Sequence, residues 1–140
     1  MSTFARRRLV NEFKSFQTEG AGLSKTLTLC LTNKIDIIFK VNESNLFLWS
    51  AVIFGPDDTE WEGAVFHLTM EFTEEYPTKP PTVVFIHPRM FHPNIYLNGK
   101  ICLDILGTGW TQAYNSLAIM KSIQVLFNFS LSYIDAPDRS

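Results

Sequence analysis

The sequence has few cysteines, little net charge and no long hydrophobic run. Its two cysteines, Cys30 and Cys102, provide neither zinc-site spacing nor a disulfide framework, which favours a reducing compartment. A formal charge of −2 argues against a strong positive electrostatic field that would attract nucleic acid. No segment reaches the roughly 18 consecutive apolar residues of a membrane helix, and the basic N-terminus precedes no signal-peptide core. We therefore expect no metal, direct nucleic-acid or membrane binding.

What the sequence does contain favours one folded domain over residues 1–140, since 46% of the residues are apolar and 19% charged. Apolar residues at helical spacing predict helices at 3–18 and 114–127. Apolar runs between them predict strands at 26–32, 35–40, 46–54, 64–72 and 82–86. Short turns join these strands, so the prediction is an α+β fold with an antiparallel meander. The side chains assigned largely to the solvent face of the first helix are Arg6, Arg7, Arg8, Glu12 and Lys14.

One hairpin brings together two groups that can perform acyl transfer. His92-Pro93-Asn94 is followed by the turn Asn98-Gly99 and then by Cys102. Asn-Gly is a strong hairpin signal because both residues tolerate positive φ. A thiolate can hold an acyl group, and an amide N–H can stabilise the oxyanion that forms during transfer.

These residues, in this order, resemble the ubiquitin-conjugating enzymes over residues 1–22 and about 45–126. The motifs that carry the resemblance are Glu74-Glu75-Tyr76-Pro77, Lys79-Pro80-Pro81, Phe91-His92-Pro93-Asn94, the run 99–106 and Trp110. The N-terminal Met-Ser-Thr-x-Ala-Arg-Arg-Arg-Leu looks like the radiation-sensitivity branch, which is associated with DNA-damage tolerance and histone ubiquitination. The resemblance implies an N-terminal helix, an antiparallel sheet of about four strands and a central helix.

The resemblance also implies the chemistry. Cys102 is expected to receive ubiquitin from an activating enzyme as a thioester and to pass it to a substrate lysine, usually with a ligase. Asn94 is expected to stabilise the oxyanion, and Asp104 to influence the incoming amine. His92 and Pro93 are expected to support the loop. No cofactor is implied, since the upstream activating enzyme consumes the ATP.

The expected partners are ubiquitin, the activating enzyme, ligases and substrate proteins, in the cytoplasm and nucleus. The first helix is expected to meet the activating enzyme and some ligases, although its basic run also fits a solvated face or a phosphate patch. Two loops are expected to dock ligases; one of them reads Thr-Gln-Ala where many relatives have Ser-Pro-Ala. The expected partner-binding residues are Arg6, Arg7, Arg8, Lys14, Pro77, Thr78, Lys79, Trp110, Thr111 and Gln112.

Two regions depart from the family pattern. Residues at about 24–41 form an apolar insert, which is interpreted as an edge hairpin, as an aggregation-prone unpaired edge, or as translated intron. The tail diverges from about 127 to 140 and lacks the family's closing helices, so exposed apolar surface and self-association are expected. The alternative function is a truncated, inactive or binding-only family member.

The residue types alone also allow less specific interpretations. Cys30 fits an inert core thiol, because free cysteine packs as a small apolar side chain. His92 and Cys102 fit a cysteine-protease dyad, but no third residue that would orient the histidine is evident.

Overall fold

The computed structural model describes residues 3–19, 21–22, 27–32, 35–55, 62–87 and 92–129, with side chains described for 3–16, 37–55, 62–87 and 92–126. In this part of the chain, helix α1 covers Phe4–Glu19 and helix α2 covers Ser116–Phe129, close to the predicted bounds. Thr3 caps α1, since its hydroxyl accepts the Arg6 amide at 3.2 Å. None of the described helices is long and apolar enough to cross a membrane.

The described strands form one sheet in which each strand pairs antiparallel with its neighbour in the sequence. The strands are β1 (Ala21–Gly22), β2 (Leu27–Thr32), β3 (Ile35–Asn42), β4 (Asn45–Phe54), β5 (Val65–Glu71) and β6 (Thr82–His87). The α+β fold with its antiparallel meander is therefore confirmed. The five strands predicted from the apolar runs correspond to β2–β6, and β1 was not predicted, so the described sheet has more strands than the four or so that the resemblance implied.

The apolar segment at 24–41 adopts the edge-hairpin form where the structure describes it. Strands β2 and β3 pair from Leu27 opposite Lys40 to Thr32 opposite Ile35. Residues 23–26 and the predicted turn at 33–34 lie outside the described residues, as do residues 130–140 of the tail.

An aromatic cluster joins α1 to the inner face of the sheet. Trp49 of β4 is fully buried, with ring centroids 5.6 Å from Phe13 and 5.8 Å from Phe39. Phe16 stacks on Phe39 at 5.4 Å. Such aromatic pairs contribute about 0.5–1.5 kcal/mol each beyond the burial of their area. The cluster packs α1 against the sheet.

The predicted Asn98-Gly99 hairpin is confirmed, and it attaches to β6. Ile95 bridges Ile101 across the turn, and Gly99 has a φ of 90°. The Phe85 amide donates to the Gly99 carbonyl at 2.7 Å, which holds the turn against the strand. A Cβ at residue 99 would meet the Phe85 carbonyl, so both backbone conformation and space require glycine.

Candidate active site

The Cys102 thiol is exposed, directly after the hairpin. The Cys102 amide donates to the Asn94 carbonyl at 2.8 Å, and Asn94 Nδ2 donates to the Cys102 carbonyl at 3.0 Å. The predicted proximity of these two residues is therefore confirmed. An accessible nucleophile and an amide donor share one small, doubly hydrogen-bonded unit.

His92 contacts the segment that carries Asn94. Its Nδ1 accepts the Asn94 amide at 2.9 Å, and its carbonyl accepts the Ile95 amide at 3.0 Å. The residue is only 8% exposed, and burial lowers the pKa of His92, which favours the neutral ring that this bond requires. These contacts join His92 to the segment that carries Asn94, and its supporting role stays a prediction. They do not orient the ring as the base of a protease dyad. The adjacent Pro93 is exposed at the turn.

Tyr96 belongs to the site, although the sequence reasoning did not select it. The neighbouring Cys102 side chain raises the pKa of Tyr96. The ring is 55% exposed, so the phenol and the thiol share an open surface. The sequence signal that could have identified Tyr96 is its position in the first arm of the hairpin, two residues after Asn94, since Cys102 lies in the second arm.

Asp104 is held firmly, just beyond the nucleophile. It begins a short 3-10 helix, Asp104–Leu106, and its Oδ1 accepts the Thr108 hydroxyl at 3.1 Å. Its carbonyl accepts the amides of Gly107 and Gly109, each at 2.9 Å. A Cβ at residue 109 would lie 2.8 Å from the Asp104 Cγ, so the carboxylate packs directly on a glycine. Asp104 is nevertheless exposed.

The basic residues of α1 differ from one another. Arg6 is exposed, lies 3.9 Å from Glu74 and covers the Phe47 ring at 4.9 Å. Arg7 and Lys14 are also exposed. The Arg8 side chain is only 27% exposed, and its guanidinium forms an ion pair with Glu12. The prediction of a partner-binding face on α1 therefore depends on Arg6, Arg7 and Lys14.

The two loops predicted to bind ligases lie against each other. Trp110 Nε1 donates to the Pro77 carbonyl at 2.9 Å, and Pro77 is buried. Pro77 was predicted to bind partners, but it is buried in this arrangement, so its side chain offers them little surface. The exposed members of the predicted surface are Thr78, Lys79, Thr111 and Gln112.

Among the described residues, no group of three or more His, Cys, Asp or Glu side chains is placed to hold a metal ion.

Comparison with known proteins shows the family of this chain. The family described as ubiquitin-conjugating enzyme matches residues 17–137. Ubiquitin-conjugating enzyme E2 1 of Caenorhabditis elegans is 46% identical over 129 residues, which cover 91% of this chain and 59% of that protein. Ubiquitin-conjugating enzyme E2 2 of Trichoderma harzianum is 46% identical over 129 residues (91% of this chain, 76% of the relative). Ubiquitin-conjugating enzyme E2 3 of Arabidopsis thaliana is 44% identical over 126 residues (90% and 75%). The chain belongs to the ubiquitin-conjugating enzyme family.

Proposed function

We propose that this chain is a working conjugating enzyme in which Cys102 carries ubiquitin. The observation that supports this proposal is an exposed thiol on a residue that is hydrogen-bonded twice to Asn94. The Cys102 amide donates to the Asn94 carbonyl, and the Asn94 side chain donates to the Cys102 carbonyl. In loading, the Cys102 thiolate attacks the thioester carbonyl on the activating enzyme. A new carbon–sulfur bond forms, and the activating enzyme's sulfur leaves as a thiolate. In discharge, a lysine amine attacks that carbonyl, Cys102 leaves as thiolate, and the amine loses its proton to solvent or a nearby base.

Each step passes through an oxyanion at the ubiquitin carbonyl. Asn94 is the group proposed to donate to it, and a positioned donor of this kind contributes about 10²–10³ in rate. Holding ubiquitin's C-terminus beside the attacking amine supplies much of the remaining acceleration. Asp104 is proposed to orient or desolvate that amine. The chain requires no cofactor in this scheme, since ATP is consumed by the activating enzyme.

The finer assignment is to the radiation-sensitivity branch, with roles in DNA-damage tolerance and histone ubiquitination in nucleus and cytoplasm. Its support is the N-terminal Met-Ser-Thr-x-Ala-Arg-Arg-Arg-Leu, which places the proposed basic face on α1. The proposed partners are ubiquitin, the activating enzyme, ligases and substrate lysines. Self-association is proposed from the apolar end of α2, where Val125 is 51% exposed.

A thioester assay tests the proposed activity. Purified protein is mixed with activating enzyme, ubiquitin and ATP, and the products are run on gels with and without reductant. We expect a reductant-sensitive adduct that Cys102→Ser abolishes and that the matched variant Cys30→Ser retains. Folded wild-type protein that forms no adduct would contradict the proposal and favour a binding-only protein.

A further inference from the structure

Glu12 is a buried carboxylate that the reaction at Cys102 does not use. The sequence placed it on the solvent face of α1; that prediction is wrong, because it is only 6% exposed. Its Oε1 accepts both the amide and the hydroxyl of Ser116, at 3.0 and 2.9 Å. Its Oε2 accepts Arg8 Nε at 2.9 Å and the Tyr76 hydroxyl. These four donors fill the acceptor capacity of a carboxylate, so no oxygen is left for solvent.

Each of these donors gains from the negative charge. Ser116 is the first residue of α2, and its amide is one of the donors that a helix leaves unsatisfied at its N-terminus, where an anion is also favoured by the helix dipole. Burial raises the pKa of Tyr76, and the adjacent carboxylate raises it further, so the phenol keeps the proton that it donates. Arg8 supplies the compensating positive charge that a buried carboxylate requires.

The contacts spread from Glu12 to both loops predicted to bind ligases. Arg8 Nη2 donates to the carbonyls of Gln112 and Tyr114, each at 2.9 Å. Tyr76 begins the other loop, which Trp110 fastens through its bond to the Pro77 carbonyl. Among the described residues, no hydrogen bond of Glu12 reaches the hairpin that carries the thiol.

We propose that Glu12 is a positioning residue for partner recognition: its carboxylate sets the arrangement of α1, loop 76–81 and loop 110–115 that the activating enzyme and ligases meet. This inference rests on the proposed function. Glu12 contacts Tyr76 of one loop directly and reaches the other loop through its ion-pair partner Arg8. Loss of the carboxylate therefore weakens partner binding and leaves the chemistry at Cys102 intact.

The test is Glu12→Gln, which keeps the shape of the side chain and removes its charge and half of its acceptor capacity. The matched control is Glu43→Gln, an exposed glutamate in the turn between β3 and β4. Loading is measured over a range of protein concentrations with fixed activating enzyme. We expect KM to rise about tenfold for Glu12→Gln, the effect expected if about one molecule in ten keeps the loop arrangement that partners bind. The kcat and the discharge of preloaded thioester to free lysine should stay within about twofold of wild type.

Two further variants separate positioning from general destabilisation. Tyr76→Phe and Ser116→Ala each remove one donor and keep the ion pair, so they decide the matter if Glu12→Gln does not fold. A double-mutant cycle of Glu12→Gln with Tyr76→Phe should show non-additive changes in KM, because both residues act in one network.

Binding of the protein without ubiquitin on Cys102 to the activating enzyme is measured separately by titration. Wild-type protein that binds but forms no adduct would refute the proposed activity alone, and weaker binding of Glu12→Gln would still support the positioning role. An unchanged KM and binding constant in folded Glu12→Gln would overturn the inference. A parallel loss in kcat and in free-lysine discharge would also overturn it.

Discussion

The Asn94 side chain offers the sharpest test of the chemistry, because its structural and catalytic roles differ in size. Its bond to the Cys102 carbonyl is a 3.0 Å contact between neutral groups, which contributes about 0.5–1.5 kcal/mol to stability. Loss of an oxyanion donor costs about 10²–10³ in rate. We therefore expect Asn94→Ala to lower Tm by only a few degrees and to slow discharge of ubiquitin to free lysine by about 10²–10³-fold.

The assay is a single-turnover discharge. The protein is loaded, ATP is removed, free lysine is added, and loss of the thioester is followed on non-reducing gels. Asn98→Ala is the matched control, because Asn98 accepts the Lys100 amide at 3.0 Å in the same hairpin and does not contact Cys102. Asn98→Ala should discharge at close to the wild-type rate. If Asn94→Ala slowed discharge by less than about tenfold, the oxyanion role would be refuted and only the structural bond would remain.

Two glycine substitutions probe the surroundings of the site. Gly109→Ala should displace the Asp104 carboxylate and slow discharge to free lysine several-fold in the same assay. Gly107→Ala is its control, since the nearest atom beyond the adjoining residues lies 3.8 Å from a Cβ there. Equal discharge rates for the two variants would contradict the role of Asp104. Gly99→Ala should lower the free energy of unfolding by at least about 1–2 kcal/mol in urea denaturation, because φ is positive and the new Cβ meets the Phe85 carbonyl; an unchanged denaturation midpoint would contradict this reasoning.

Local signals predicted the elements and the reacting pair. The turn Asn98-Gly99 fixes the hairpin through backbone conformation within a few residues, so the proximity of Asn94 and Cys102 follows from the sequence. The helices follow equally from apolar spacing, which is a property of one segment at a time.

Glu12 shows where such reasoning stops. Its hydrogen-bond partners Tyr76 and Ser116 lie 64 and 104 residues away in the sequence. A glutamate between basic residues on a helix is typical of a solvated face, and only the tertiary packing reveals that two other segments cover it. Pro77 likewise lies in a loop that is joined to Trp110, 33 residues away, and the local sequence does not reveal that contact.

The hairpin that carries the thiol also closes one edge of the sheet. The Phe85 amide donates to Gly99, the Ile101 amide donates to the Val83 carbonyl, and Lys100 bridges Val84. A bare strand edge presents unpaired amides and carbonyls and thereby recruits extended segments of other chains. Here those groups of β6 are already occupied, so an extended substrate segment cannot add to the sheet at this point. A partner segment that approaches here would have to be held by side-chain contacts instead of strand pairing. Opening of the hairpin would uncover the strand edge and displace the nucleophile in a single event.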